Sequence, residues 1–163
     1  MSAAATRLST PIGELVLVAS DTALTAVHFL TSRHGPPPPV GTGAENEVLA
    51  RTKEQLVEYF AGTRTAFDLP LAAEGSAFER RVWDLLRTIP YGTTTSYGAL
   101  ARRLGDVKTT RAVGAANGRN PIPIIVPCHR VVGARGELVG FGGGLERKRW
   151  LLEHEGALLA LGR

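Results

Sequence analysis

Three residues suited to chemistry follow Pro127 directly: Cys128, His129 and Arg130. Cys128 is the only cysteine in the chain, so it can form no internal disulfide. A thiol beside an imidazole and a guanidinium lies where positive charge favours the thiolate, the nucleophilic form of cysteine. We therefore predict that Cys128 is a nucleophile. The alternative is a small buried hydrophobe, the usual role of a lone cysteine in a core.

An apolar segment precedes this cysteine. Residues 122–126 are mostly β-branched and predict a short buried strand, which Pro127 ends because proline lacks a backbone donor. Neighbouring side chains of an extended chain point to opposite faces. His129 therefore reaches the sulfur of Cys128 only through a backbone kink or a water molecule. A satisfied structural imidazole is the alternative for His129.

The composition is that of a globular protein with an uneven charge distribution. The 163 residues, 44% of them hydrophobic, suffice for one ordinary domain or two small ones. Residues 1–75 carry five Lys/Arg against eight Asp/Glu (net −3), whereas residues 76–163 carry fourteen against seven (net +7). The excess of positive charge lies in the half that holds Cys128. It favours binding to a polyanion, and nucleic acid is the commonest candidate. A merely solvated basic face is the alternative.

No stretch is long and apolar enough to span a membrane, and the first residues lack the apolar core of a signal peptide. Together with the free thiol, this predicts a cytoplasmic protein with no membrane partner. The chain has no second cysteine to complete a zinc site, so we expect neither a metal nor a cofactor.

Residues 1–75 predict a small α/β domain. Two strands over 15–18 and 23–29 form an antiparallel hairpin, and residues 45–61 have the spacing of a helix that covers the sheet. Residues 67–71 are a candidate edge strand, and the boundary falls at about residue 75. Between hairpin and helix, the four prolines at 36–39 predict an exposed, stiff connection.

Residues 76–163 predict a mostly helical domain, which makes the fold class α+β. Ser76 and Glu79 form a capping box that opens an amphipathic helix ending at Ile89. Thr95 or Ser96 caps a second helix over 97–104, and a third covers 110–117. Two short helices joined by a glycine-containing turn are the outline of a helix-turn-helix.

The third of these helices has an almost side-chain-free surface. Its small residues are Ala112, Gly114, Ala115 and Ala116, and Gly118 stops it, while Arg111 sits in its first turn, where the helix dipole disfavours a cation. With Arg119 and other cations nearby, this surface predicts docking in the minor groove of DNA, because it lacks long polar side chains for reading the major groove. Tight helix packing with a solvated Arg111 is the alternative.

Beyond Cys128, residues 131–139 predict a hairpin, followed by the glycine-rich residues 140–144. The loop lacks the Gly-Lys-Ser/Thr of a phosphate-binding loop, so we reject a nucleotide site and expect a backbone that lies close to a ligand. A final helix covers 145–155. Glu155 lies in the last turn of this helix, where the helix dipole disfavours a negative charge. Its carboxylate is therefore either solvated or paired with an imidazole.

These motifs, taken in order, strongly resemble the O6-alkylguanine-DNA alkyltransferases, also called methylated-DNA-protein-cysteine methyltransferases. The run from Ile122 to Val132 reads IPIIVPCHRVV; RAVG at 111–114 and Asn120-Pro121 precede it, and the glycine-rich loop and His154-Glu155-Gly156 follow. The resemblance covers about Ser76 to Gly156, whereas residues 1–75 match only loosely.

The resemblance implies direct DNA repair by a monomer, in which Cys128 irreversibly accepts the alkyl group of an O6-methylguanine that has been flipped out of the duplex. It implies that His129 takes the thiol proton through a water and that Glu155 orients His129. It implies that Tyr97 is a phenol that contacts the base, that Asn120 fixes the active-site turn and that Arg111 is a finger that fills the base stack. Further DNA contacts are implied for Thr110, Ala112, Ala115, Gly118 and Arg119. A substrate pocket is implied for Val126, Pro127, Phe141, Gly142 and Gly143.

Two departures from the family pattern concern only substrate contacts. Thr109-Thr110 replaces small alanines, and Phe141 stands where many members have tyrosine. Two other function classes remain open on the residues alone. One is a helix-turn-helix regulator with a structural cysteine; the other is a Cys-His hydrolase, which needs nucleophile and base in direct contact.

Overall fold

A computed structural model describes residues 3–31 and 46–158. The proline-rich connection predicted at 33–43 lies outside the described residues. The chain divides into two compact units, Met1–Glu74 and Gly75–Arg163. Within the described ranges, no helix has both the length and the apolar character needed to cross a membrane.

The first unit is a three-stranded antiparallel sheet in the order β1 (Ala4–Thr10), β2 (Gly13–Ala19), β3 (Leu24–Phe29), with helix α1 (Glu47–Phe60) packed on it. The central strand β2 is buried from Leu15 to Ala19, as its apolar run requires. The helix begins where the Asn46 side chain accepts a hydrogen bond from the Leu49 backbone at 2.9 Å.

Two details of this unit differ from the sequence-based expectation. Strand β1 was not predicted, because its short polar residues carry no apolar alternation; it is an edge strand held by pairing with β2 along its whole length. Residues 67–71 form no strand but a single bridge between Leu71 and Leu24. Pro70 lacks a donor and offers only its carbonyl, to the Leu24 N–H at 2.8 Å.

The second unit is mostly helical. It contains α2 (Ala77–Leu86), β4 (Thr95–Ser96), α3 (Tyr97–Arg103), a 3₁₀ turn (Val107–Thr109), α4 (Thr110–Gly118), a 3₁₀ turn (Cys128–Arg130), β5 (Val131–Val132) and α5 (Leu145–His154). The capping box of Ser76 and Glu79 opens α2, and Ser96 caps α3, both as predicted. Helix α4 packs on α2 and α3, which gives the helix-turn-helix outline. The predicted α+β fold class is confirmed.

Several predicted elements in this unit change. Helix α2 ends at Leu86 rather than Ile89, while the ends of α3, α4 and α5 each shift by one residue. The apolar residues 122–126 form no strand, and 131–139 form no hairpin. Instead β5 pairs in parallel with β4, and a turn closed by the Gly133 N–H to the Glu137 carbonyl at 2.9 Å follows it. Residues 131 and 132 therefore pair with β4, which is distant in sequence, and not with a neighbouring strand of a hairpin.

Candidate active site

A locked turn, not a strand, presents Cys128. The Asn120 side chain accepts from the Ile122 N–H at 3.0 Å and donates to the Val126 carbonyl at 2.8 Å. Ile124 adopts φ 75°, a left-handed conformation that β-branched residues rarely enter, so the surrounding bonds must hold it there. Residues 122–126 are apolar because they are buried, not because they pair in a sheet.

Pro127 completes this turn. Its φ of −81° and ψ of 65°, with a 2.8 Å bond from the Cys128 N–H to the Val126 carbonyl, make an inverse γ-turn. Cys128 then begins a single 3₁₀ turn with His129 and Arg130. This turn is a backbone kink of the kind that the sequence analysis required, since neighbouring side chains of an extended chain point to opposite faces.

Cys128 is 5% exposed, and this burial favours the neutral thiol. Burial raises the pKa of Cys128 to about 11, against the opposing effects of a hydrogen bond with Asn120 and the charge of Lys148. The expectation that His129 and Arg130 hold Cys128 as a thiolate is wrong for this state, because both side chains bind Glu155 instead.

A buried cluster joins His129, Arg130 and Glu155. His129 Nε2 lies 2.8 Å from Glu155 Oε2, while Arg130 donates from Nε to Oε1 at 2.7 Å and from Nη2 to Oε2 at 3.0 Å. The three side chains are 0%, 7% and 0% exposed. Burial alone would raise the pKa of Glu155, but the hydrogen bonds from His129 and Arg130 lower it to about 2. Glu155 is therefore ionised, and it is paired with an imidazole rather than solvated.

This pairing fixes the proton on the imidazole. Because an ionised carboxylate only accepts, His129 Nε2 must donate to Glu155, and the lone pair of the neutral ring lies on Nδ1. Burial lowers the pKa of His129, although Glu155 opposes that effect, and burial therefore favours the uncharged ring. Nδ1 is buried and has no hydrogen-bond partner among the described residues. It is an available proton acceptor on the residue next to Cys128.

Lys148 is a site residue that sequence reasoning missed. Its side chain is fully buried, and Nζ donates to the carbonyls of Val131 at 2.6 Å, Val139 at 2.6 Å and Gly140 at 3.3 Å. Burial lowers the pKa of Lys148 to about 8, an effect that a thiolate at Cys128 opposes. A signal was present: Lys148 shares the apolar stripe of α5 with Leu151 and Leu152, where a cation must find acceptors.

Tyr97 lies on the same network. Its hydroxyl donates to the Val139 carbonyl at 3.0 Å, and the Lys148 Nζ is 6.0 Å from its ring centroid. Burial raises the pKa of Tyr97, and a thiolate at Cys128 raises it further. Asn117, a second residue that sequence reasoning missed, is buried at the end of α4 and donates from Nδ2 to the Cys128 carbonyl at 3.4 Å. The chain therefore places Tyr97 and Asn117 close to Cys128.

The predicted pocket residues differ in burial. Val126 and Pro127 are buried in the turn before Cys128. The glycine-rich loop is anchored through Gly140, bound by Lys148, and within it Phe141 and Gly143 are buried while Gly142 is half-buried.

The predicted DNA-binding face of α4 is exposed. Its exposed positions fall on one side of the helix and at its end: Arg111, Ala112, Ala115, Gly118 and Arg119. Val113 and Ala116 on the other side are buried, and the Ala116 carbonyl accepts from Trp83 Nε1 at 2.8 Å. Thr110 is half-buried, with its hydroxyl on the Val107 carbonyl at 2.7 Å. Arg119 is already paired, 3.3 Å from Glu79.

Comparison with known proteins gives the family. Residues 77–157 match the family model for the DNA binding domain of 6-O-methylguanine DNA methyltransferase, and residues 5–73 match that for its ribonuclease-like domain. A methylated-DNA–protein-cysteine methyltransferase from Mycolicibacterium paratuberculosis is 49% identical over 148 residues, which cover 91% of this chain and 89% of the relative. The chain belongs to the 6-O-methylguanine DNA methyltransferase family. It is a methyltransferase, as the motifs predicted, and residues 5–73 match the family as well.

Solved structures agree with this methyltransferase assignment. The O6-methylguanine methyltransferase of Mycobacterium tuberculosis is 42% identical with a TM-score of 0.82, covering 98% of this chain and 96% of that one. A Mycobacterium tuberculosis relative solved in complex with DNA is 44% identical with a TM-score of 0.83, covering 96% and 94%. An enzyme from Methanococcus jannaschii is 28% identical with a TM-score of 0.67, covering 97% of each chain.

Proposed function

We propose that this methyltransferase repairs DNA directly, by moving the alkyl group of O6-methylguanine onto its own Cys128. The observation that carries this proposal is the geometry of His129, which is bound through Nε2 to Glu155 at 2.8 Å and leaves a buried Nδ1 without a hydrogen-bond partner among the described residues, next to the chain's only cysteine. Curated relatives named methylated-DNA–protein-cysteine methyltransferases support it.

The transfer is a displacement at a saturated carbon. The sulfur of Cys128 forms a bond to the methyl carbon as the bond from that carbon to O6 breaks, and the electron pair of the broken bond leaves on the purine. Because burial holds the pKa of Cys128 at about 11, the thiol must lose its proton during the reaction. That proton passes through a water molecule to His129 Nδ1, and Glu155 stabilises the imidazolium that results.

Tyr97 assists the departing base. Its hydroxyl leaves the Val139 carbonyl and donates a hydrogen bond to the purine ring as charge arrives there. This exchange costs little, because the Val139 carbonyl keeps its 2.6 Å hydrogen bond from Lys148. Val126, Pro127, Phe141, Gly142 and Gly143 line the pocket that receives the base.

The product does not return to the starting state. A thioether has no acyl or phosphoryl centre for water to attack, so the sulfur is not regenerated. Each molecule therefore completes one turnover. With a single cysteine in the chain, no second thiol takes over the alkyl group.

The α4 face contacts the minor groove of double-stranded DNA, and the protein acts as a monomer. Small exposed residues at Ala112, Ala115 and Gly118 let the helix approach the backbone closely, while Arg111 enters the base stack in place of the flipped guanine. The DNA-bound Mycobacterium tuberculosis relative and the +7 net charge of residues 76–163 support this part of the proposal.

Intact mass after incubation with a duplex that carries O6-methylguanine tests the proposal. We expect a gain of one methyl group on Cys128, stoichiometric with the base repaired, and no gain for Cys128→Ser. Repeated turnover with an unmodified thiol would indicate a hydrolase. Sequence-selective binding without any mass change would indicate a helix-turn-helix regulator.

A further inference from the structure

Arg130 commits its whole guanidinium to buried partners, although no step of the transfer uses it. Nε and Nη2 hold the two oxygens of Glu155, and Nη1 donates to the Ile89 carbonyl at 2.7 Å, just beyond α2. The Tyr91 ring centroid lies 5.7 Å from Arg130 Cζ. This anchoring fixes the plane of the carboxylate, and through it the ring nitrogen that His129 presents to Glu155.

Burial and the groups that face His129 together determine its charge. Cys128 and Arg130 belong to its own turn, Lys148 and Glu155 come from α5 and its end, and Tyr91 covers the guanidinium from the chain after α2. Of these, Glu155 is the anion, while Arg130 and Lys148 are cations.

We propose that Arg130 is a positioning residue for the alkyl transfer: by neutralising Glu155 it keeps His129 uncharged, with the Nδ1 lone pair available to the thiol of Cys128. This inference rests on the proposed function.

The physical reason is charge balance in a buried site. A carboxylate that faced only the imidazole would form an ion pair with imidazolium, and His129 would take a proton from solvent before any substrate arrived. With Arg130 in place, Glu155 is already paired, so a proton on the resting imidazole adds an uncompensated charge. His129 then accepts a proton only when Cys128 gives one up, which leaves an electron-rich sulfur to react.

The experiment compares pH profiles of the single-turnover rate on a duplex with O6-methylguanine. For Arg130→Met, which removes the charge and keeps an apolar stem, we expect the acidic limb to move to higher pH by about one unit or more. Arg130→Lys keeps the charge, so its limb stays near the wild-type position while the rate falls. The double variant Arg130→Met with Glu155→Gln removes both charges, and its limb returns towards wild type.

A merely structural Arg130 predicts lower rates with coincident limbs, a result that overturns the inference and leaves the proposed function standing. Absence of methyl transfer to wild-type Cys128 removes the proposed function itself. If the Arg130→Met protein does not fold, Arg130→Gln takes its place, because it also removes the charge but keeps a hydrogen-bond donor. Nitrogen NMR then follows the ring charge of His129 against pH: protonation at a higher pH than in the wild-type protein supports the inference, and coincident titrations overturn it.

Discussion

At the scale of single residues, Glu155 is where the buried charges of the site meet. It accepts hydrogen bonds from His129 and Arg130 at 2.7 to 3.0 Å. These bonds satisfy a carboxylate that would otherwise be expensive to bury. The same contacts that orient the base therefore tie the end of α5 to the turn that holds Cys128, so the stability of this unit depends on the ionisation of Glu155.

The stability of the protein should fall when Glu155 is protonated. Its pKa is lowered from 4.5 to about 2, so the folded state binds this proton less tightly than the unfolded chain does. The contribution is present above pH 4.5 and is lost as the pH falls from 4.5 towards 2, with a full size of about 3 kcal/mol. Urea unfolding of wild type and Glu155→Gln should show a difference that shrinks over this window. A difference that is independent of pH would contradict this assignment.

Lys148 is the second residue whose removal has a defined consequence. Lys148→Met leaves the carbonyls of Val131, Val139 and Gly140 without their shared donor, and we expect a loss of about 2 kcal/mol in the free energy of unfolding. Transfer to Cys128 should also slow, because the cation that lowers the thiol pKa is gone. Chemical denaturation and single-turnover kinetics measure the two effects.

Arg149→Met is the matched control for this variant. Arg149 neighbours Lys148 on α5, but its side chain is 50% exposed and its 3.8 Å ion pair with Glu153 is long. We expect its loss to change the free energy of unfolding by no more than about 0.5 kcal/mol. Equal losses for the two variants would mean that Lys148 contributes only the charge of a surface cation.

At the scale of elements, the sequence predicted those that carry their own local signals. The capping box at Ser76 and Glu79, the cap at Ser96 and the stop at Gly118 depend on neighbours within four residues, and the observed helices α2, α3 and α4 begin or end there. Ala112 and Ala115 lie on the exposed side of α4 as predicted, whereas Gly114 is half-buried and Ala116 is buried. The contact of the exposed side with DNA stays a prediction.

Elements that depend on distant partners were predicted less well. Strand β1 exists because β2 pairs with it, and β5 pairs with β4 across more than thirty intervening residues. The apolar run at 122–126 fits a strand by composition, but Pro121 and Pro123 remove donors and the Asn120 side chain closes the turn instead. The binding of Arg130 to Glu155 was equally invisible, because it follows from where α5 ends. Pairing of Glu155 with an imidazole, by contrast, was one of the two alternatives that the sequence left open.

The exposed α4 face gives the prediction that belongs to this scale. Arg111→Ala should weaken transfer from duplex DNA about tenfold or more, since no side chain then fills the space of the flipped base. Reaction with free O6-methylguanine base should stay near normal, because Arg111 is exposed on α4 and makes no described contact with Cys128. Single-turnover rates on the two substrates test this.

Arg87→Ala is the control for Arg111→Ala. Arg87 is also an exposed arginine, and it lies at the C-terminal end of α2. Glu79, which pairs with Arg119 of the α4 face, lies at the other end of this helix. Both reactions should proceed at wild-type rates in this variant. An equal loss on duplex and free base for Arg111→Ala would assign Arg111 a structural role.

At the scale of the whole molecule, charge and chemistry are segregated in the sequence. Residues 1–75 carry a net −3 and residues 76–163 a net +7, and the cluster of Cys128, His129 and Glu155 lies in the basic part. The groups that react are buried, whereas the basic residues around the α4 face are exposed. Salt should therefore act on the encounter with DNA and leave the transfer step almost untouched.

The prediction is a selective salt dependence. At protein concentrations below saturation, the rate on duplex DNA should fall linearly on a double logarithmic plot, with a slope of about −0.9 for each phosphate neutralised. The rate on free O6-methylguanine should change little over the same range, because Cys128 and His129 are 5% and 0% exposed and are poorly screened. Rates measured from 50 to 300 mM salt, roughly the range in which such binding weakens, decide the matter. Parallel losses on both substrates would place the salt effect on the buried cations around Cys128, and the basic face would then be a solvated surface with no role in the encounter.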